Sequence, residues 1–241
     1  MGSYHQAGCL EINRKHTDLR KAASLIVEVG LRIIVRILAR FNTGCLKAIP
    51  KTGPFIIIFN HVNFLELPLL YLWLKPRLIN FMAKVETWEH PFLGWMADNW
   101  ETIKVNRGEH PMEAFKKAGR ILDEGRILMV SPEGTRSITG TLGKGREGTV
   151  LLALRNNAII IPVGHNGAEN IHENIKKFRR TRVILQVGRP FRLKGPPHPG
   201  KALRKELNDA LMRELAVLLP AEQRGIHKDT PFNPELLEYT D

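Results

Sequence analysis

The sequence predicts an α/β fold, a mixed, mostly parallel sheet flanked by helices and preceded by an N-terminal amphipathic helical element. Two observations carry this expectation. Short β-branched apolar runs alternate with longer helix-patterned segments from about residue 55 to residue 218, the pattern of sheets covered by helices on both faces. Pro50, Gly53, Pro76 and Gly125 fall between these segments, where strands and helices end.

Taken in order, residues 17–41 read as a helix with Thr17-Asp18 as its cap. Arg32, Arg36 and Arg40 recur every four residues and so share one stripe. Leu25, Ile26, Val29, Ile33 and Ile37 are among the apolar residues around it. The longest uncharged run, Ala22 to Val27, is far short of the roughly 20 residues needed to cross a bilayer. A narrow cationic stripe on a broad apolar surface suits a helix lying in a membrane interface; a core-packed helix with one solvated face has the same pattern. Phe55–Phe59 is a buried strand after the turn at residues 49–54. Leu67–Leu74 is a helix, opened by Pro68 in its first turn and ended by Lys75-Pro76. Strands follow at Leu78–Ala83 and Glu101–Val105, then a helix at Pro111–Asp123 closed by Gly125. Further strands are expected at Arg126–Val130, Ala158–Val163 and Arg182–Val187, with Val150–Arg155 helical between the first two. A last helix covers Lys201–Leu218, before a polar, proline-containing tail. The division expected is a membrane-associating helical element at 1–46 and a catalytic domain at 47–241.

The 241 residues carry 36 Lys and Arg against 24 Asp and Glu, a net charge of +12. Such a surface attracts polyanions, whether nucleic acid, anionic lipid headgroups or phosphorylated small molecules. A recognition helix, a base-stacking aromatic pattern and zinc-ligand spacing are all missing from the sequence, so no nucleic-acid partner is expected. Two cysteines, Cys9 and Cys45, imply no disulfide framework. No two histidines stand four apart on a helix, and no metal site is expected.

Two segments carry candidate chemistry. His61 and Glu66 follow the first long strand, in Phe59-Asn60-His61-Val62-Asn63-Phe64-Leu65-Glu66. Within one helix they would stand about 140° apart. Across a strand-to-helix turn they can converge, and a carboxylate there could hold the imidazole while its other nitrogen accepts a proton from a hydroxyl. The second segment is Val130-Ser131-Pro132-Glu133-Gly134-Thr135-Arg136-Ser137, at the carboxyl end of a strand, where open α/β sheets build ligand sites. Gly134 permits close backbone approach, Arg136 offers a fork matched to phosphate, and Lys144 and Arg146 lie in the glycine-rich run that follows. A capped turn with a solvated arginine would look the same. The basic run Lys176–Arg182 could face anionic groups or could simply be a solvated loop.

In order and spacing these segments resemble the glycerophospholipid acyltransferase family, whose four sequence blocks have counterparts between about residues 50 and 190. The first is Asn60-His61 with the acidic Glu66. The second is Ile103-Lys104-Val105-Asn106-Arg107-Gly108, preceded by Pro91-Phe92-Leu93-Gly94-Trp95. The third is Pro132-Glu133-Gly134-Thr135-Arg136-Ser137, the most specific of the set. The fourth is the strand Ile159-Ile160-Ile161-Pro162-Val163, and Gln186-Val187-Gly188-Arg189-Pro190 matches the closing strand. Three departures stand out: Glu66 replaces the usual aspartate, Arg146 stands near where the family tends to show lysine, and His165 has no counterpart in the motifs.

The resemblance implies direct transfer of a fatty acyl group from acyl-CoA or acyl carrier protein to a lysophospholipid hydroxyl. The acceptor implied is 1-acylglycerol-3-phosphate, giving phosphatidic acid. His61 would be the base and Glu66 its orienting carboxylate. Arg107, Glu133, Gly134, Thr135 and Arg136 would contact the acceptor, with Lys144 and Arg146 added on charge and position. No cofactor is implied beyond the thioester co-substrate. The expected setting is the cytoplasmic face of the cell membrane, as a peripheral or monotopic protein beside anionic lipids. Alternatives are another lysolipid, aminolipid or glycolipid acceptor, a catalytically idle lipid-binding relative, or a basic nucleic-acid- or lipid-binding module.

Overall fold

Parallel pairing dominates the centre of the sheet because helices connect its strands. The computed structural model describes residues 23–51, 53–63, 66–106 and 111–240. Helix α1 covers 23–38 and runs into β1 (Ala39–Phe41). Then come β2 (Phe55–Phe59), α2 (Glu66–Leu74), β3 (Ile79–Lys84), α3 (Pro91–Asn99), β4 (Ile103–Val105), α4 (Pro111–Asp123) and β5 (Ile127–Val130). The second half holds α5 (Gly148–Arg155), β6 (Ile159–Asn166), α6 (Ile171–Lys176), β7 (Thr181–Val187), β8 (Phe191–Leu193), α7 (Lys201–Ala216) and β9 (Leu237–Tyr239).

The sheet order is β1-β7-β6-β2-β5-β3-β4, with β8 on β6 and β9 on β8. Strands β6, β2, β5, β3 and β4 are mutually parallel, and β7 turns back antiparallel along the carboxyl half of β6. The mixed, mostly parallel sheet expected from the sequence is therefore present.

Strand β2 shows how the layers form. Its five residues are all buried, and their alternation sends Phe55, Ile57 and Phe59 to one face and Ile56 and Ile58 to the other. The first set packs with Val35 of α1, Leu69, Leu70 and Leu72 of α2 and Met96 of α3. The second packs with Ala118 of α4, Val150 of α5 and Leu211 and Leu215 of α7. A strand buried on both faces reads as a continuous apolar run, which is why β2 and β6 are legible in sequence.

Several expectations are corrected. The helix expected over 17–41 ends at residue 38, and Ala39–Phe41 is an edge strand whose backbone pairs with Thr181–Val183. Apolar periodicity cannot reveal that switch, because a three-residue strand spans less than one helical turn. The Thr17-Asp18 cap lies outside the described residues. The tail contributes β9, which pairs with β8 and buries Leu237. Pro91–Asn99 is helical, with Pro91 in its first turn and the His90 side chain accepting from the Leu93 amide at 3.5 Å.

Candidate active site

The loop from β2 to α2 brings His61 and Glu66 together. His61 Nδ1 lies 2.5 Å from Glu66 Oε2, and the Glu66 side chain is almost wholly buried while that of His61 keeps 19% of its surface. Glu66 is the first residue of α2, where the helix dipole favours a negative charge. Its Oε1 accepts the Val62 amide at 2.8 Å and the Asn63 amide at 2.5 Å. The carboxylate thus closes the very loop that carries the histidine. With Nδ1 occupied, His61 Nε2 is the nitrogen left for chemistry.

His165, which matched no motif, completes the cluster. It stands near the end of β6, the neighbour of β2, and only 2% of it is exposed. Its Nε2 lies 2.6 Å from the Asn60 carbonyl oxygen and 3.5 Å from Glu66 Oε1. Both partners are acceptors, so Nε2 carries the proton. The Asn60 side chain locks the same strand ends from both directions, donating to the His165 carbonyl at 2.9 Å and accepting the His165 amide at 3.0 Å. Behind Glu66 and His165 lies an apolar cavity of about 20 Å³ bordered by Val35, Leu69, Leu70 and Val183. The sequence held one signal for this residue. The apolar run of β6 ends in His165-Asn166 as that of β2 ends in Asn60-His61, and parallel register sets the two strand ends side by side.

The segment after β5 forms the opposite wall. Glu133 is buried, and its two oxygens accept backbone amides, from His61 at 3.2 Å and from Gly143 at 2.8 Å. Burial, the largest influence on it, raises its pKa above 4.5, against the lowering effect of those two amides. Ser137 donates its amide to the His61 carbonyl at 2.7 Å. The His61 backbone is therefore pinned on both sides by this segment. Gly134 has φ +63°, and a Cβ there would lie 2.7 Å from Arg146 Cδ. Arg146 passes over that glycine and donates from Nε to the Glu133 carbonyl at 3.2 Å. Thr135, Arg136 and Lys144 are exposed. Arg107 lies outside the described residues. The structure thus joins His61, Glu66, Glu133, Gly134 and Arg146 in one hydrogen-bonded corner and leaves Thr135, Arg136 and Lys144 at its rim.

Among the described residues, no group of three or more His, Cys, Asp or Glu is placed to hold a metal ion. A partly exposed imidazole oriented by a buried carboxylate can serve as a general base.

A family model described as Acyltransferase matches residues 40–166, more than half of the chain. The chain belongs to the acyltransferase family. The match runs from β1 to the end of β6 and so includes His61, Glu66, Glu133 and His165. A relative from Bacillus subtilis, named 1-acyl-sn-glycerol-3-phosphate acyltransferase, is 24% identical over 190 residues, covering 78% of this chain and 93% of its own. One of the same name from Pseudomonas aeruginosa is 26% identical over 195 residues, with coverages of 79% and 74%. A chloroplastic relative from Arabidopsis thaliana matches at 24%, and there the match spans only 48% of the relative's length. The crystal structure of the 1-acyl-sn-glycerophosphate acyltransferase PlsC from Thermotoga maritima superposes with a TM-score of 0.58 at 22% identity, covering 84% of this chain and 82% of that one. The acyltransferase fold is shared.

Proposed function

We propose that this acyltransferase moves a fatty acyl group from a thioester, acyl-CoA or acyl carrier protein, to the free hydroxyl of 1-acylglycerol-3-phosphate, giving phosphatidic acid. The observation that carries the reading is the His61–Glu66 contact at 2.5 Å, with the second imidazole nitrogen at the carboxyl edge of the sheet. The names of the relatives support the acceptor.

In this mechanism His61 Nε2 takes the acceptor's hydroxyl proton as the oxygen attacks the thioester carbonyl. The tetrahedral intermediate collapses, the carbon–sulfur bond breaks, and the imidazolium returns its proton to the departing thiolate. Atoms balance without an acyl-enzyme or a cofactor. Glu66 holds the reactive orientation of His61 and stabilises its cationic form. His165 steadies Glu66 from the far side, and Glu133 fixes the His61 backbone rather than touching substrate. Arg136, at the rim, supplies the fork for the acceptor phosphate, with Lys144 and Arg146 in the segment that follows it and Arg107 assigned by its sequence motif alone.

The setting we assign is the cytoplasmic membrane surface, bound peripherally or monotopically. No helix among the described residues is long and apolar enough to cross a membrane. Helix α1 nonetheless exposes Leu25, Ile26, Val29, Ile33 and Ile37, each by more than half, beside exposed Arg32 and Arg36. An apolar face flanked by guanidiniums complements anionic lipid.

The test is a panel of purified lysolipids, with labelled acyl-CoA and acyl carrier protein as donors. Transfer to 1-acylglycerol-3-phosphate well above that to neutral lysolipids is expected, and Arg136→Ala should raise the KM for that acceptor far more than for the donor. Preferential transfer to a lysolipid without a phosphate monoester would contradict the acceptor reading.

A further inference from the structure

The arginines at the end of α1 do not simply face solvent. A cleft of about 290 Å³ opens between α1, β1 and the last turn of α2, and Arg36, Arg40, Thr43, Trp73 and Arg180 line it. Two of its guanidiniums are held in place. Arg180 donates from Nη2 to the Ala39 carbonyl at 3.0 Å and to the Arg36 carbonyl, groups at the α1 C-terminus, where a cation is favoured. Arg36 lies over the Trp73 indole, its Cζ 5.7 Å from the ring centroid, and Phe41 meets that ring edge-on at 4.7 Å. Among the described residues, no carboxylate lies within ion-pair distance of Arg36, Arg40 or Arg180. The only acid of α1 among them, Glu28, is taken by Lys75 at 2.5 Å. Three cations therefore line one space without a carboxylate partner among the described residues, and forked donors suit a tetrahedral oxyanion.

Register fixes where the cleft stands. Strand β7 runs antiparallel to β6, with Ile184 opposite Asn166, the last residue of β6. Thr181 thus lies about 10 Å beyond the end of β6, and Ala39 pairs with Thr181. The cleft projects past the same sheet edge that carries His61, next to the exposed apolar face of α1.

We propose that this cleft binds the phosphate of an anionic membrane phospholipid, as a site separate from that of the acyl acceptor. The assignment rests on the membrane setting given above: the apolar face of α1 would enter the acyl layer while the cleft grips a headgroup at its rim. A lipid held there turns the catalytic edge toward the surface in which the acceptor resides.

The experiment is sedimentation of the full chain with phosphatidylcholine vesicles, with and without phosphatidylglycerol. Arg36→Gln with Arg40→Gln should weaken the phosphatidylglycerol-dependent binding about thirtyfold, the scale for two basic groups at a lipid surface. Lys176→Gln with Lys177→Gln, an equal charge change at the carboxyl end of α6, should weaken it much less. Arg36→Lys with Arg40→Lys keeps the charge and loses the forks, so it too should bind poorly. Equal losses in the two Gln pairs, or full binding by the Lys pair, would overturn the site in favour of diffuse attraction. Saturable binding of inorganic phosphate to the cleft, with vesicle binding unchanged in the variants, would overturn the lipid assignment. Acyl transfer in neutral detergent micelles should stay within about twofold of the parent for the Gln pair. A loss there as deep as that of His61→Ala would place these arginines in the acceptor site and overturn the proposal. Because His61→Ala should still sediment with phosphatidylglycerol, failure of the catalytic reading and failure of this one are distinguishable.

Discussion

The catalytic corner and the arginine cleft stand at the same edge of one sheet, yet they handle charge in opposite ways. At the corner, the carboxylates of Glu66 and Glu133 are buried, and each accepts two backbone amides. In the cleft, guanidiniums stand at the surface, held by an indole and by main-chain carbonyls, without a carboxylate partner among the described residues. Proton transfer needs a group fixed to within a fraction of an ångström, which burial and hydrogen bonds supply. Attraction to a charged surface needs cations whose field is not cancelled nearby. The difference teaches that a basic protein's positive charge need not mark its catalytic site.

The largest effect that would break the comparison is loss of charge at Glu66. Glu66→Gln keeps the size, removes the charge and places a donor where the imidazole needs an acceptor; kcat should fall about 10²–10⁴-fold with vesicle binding unchanged. Glu66→Asp should fall between the parent and Gln forms, since its shorter arm must reach Nδ1 and two amides at once. Initial rates with folding checked by circular dichroism decide it, and equal rates for parent and Gln would remove Glu66 from the mechanism.

A smaller loss is expected at His165, which acts through Glu66. His165→Leu strips the N–H from Asn60 and Glu66, and kcat should drop about tenfold or more while KM changes little, the scale of a hydrogen bond to a charged group. His165→Gln, which keeps an N–H donor, should recover part of it. A change confined to the acceptor KM would place His165 in binding instead.

Stability joins the two regions at Gly167, between β6 and the segment leading to β7. Its φ is +90°, and a Cβ there would lie 2.1 Å from the Arg182 carbonyl oxygen. Gly167→Ala should cost about 2 kcal/mol or more in urea unfolding. A loss under half of that would show that the turn relaxes freely.

The smallest effect concerns pH. Burial raises the Glu133 pKa above 4.5, so the folded state holds that proton more tightly than the unfolded chain does. Stability from this group is complete at pH below 4.5 and is lost as pH rises through the folded-state value. The melting-temperature deficit of Glu133→Gln should therefore shrink as pH rises from below 4.5 toward neutrality. A deficit that grows over that range would contradict the burial argument.

How much of this was legible in sequence depended on whether the pattern was local. The apolar runs of β2 and β6 and the Pro111–Asp123 helix could be read because burial imprints its period on consecutive residues. The His61–Glu66 pair was legible from a histidine after a strand and an acid before a proline-opened helix. Strands β1, β8 and β9 were not, since three residues carry no period and their partners lie far along the chain. The role of His165 was not legible for the same reason, although its place at the end of the β6 run was a signal: it reaches Glu66 through strand register across 99 positions. The inward aim of Glu133 was hidden too, because its partners are backbone amides, which every residue type offers.

The central claim is that His61, held by Glu66, removes the acceptor's proton. It is tested most directly by initial acyl transfer to 1-acylglycerol-3-phosphate in purified parent and His61→Ala proteins, at equal folded concentration and in neutral detergent micelles. The account predicts a fall of about 10²–10⁴-fold in kcat with the acceptor KM nearly unchanged. A folded His61→Ala protein that turns over at the parental rate would contradict it.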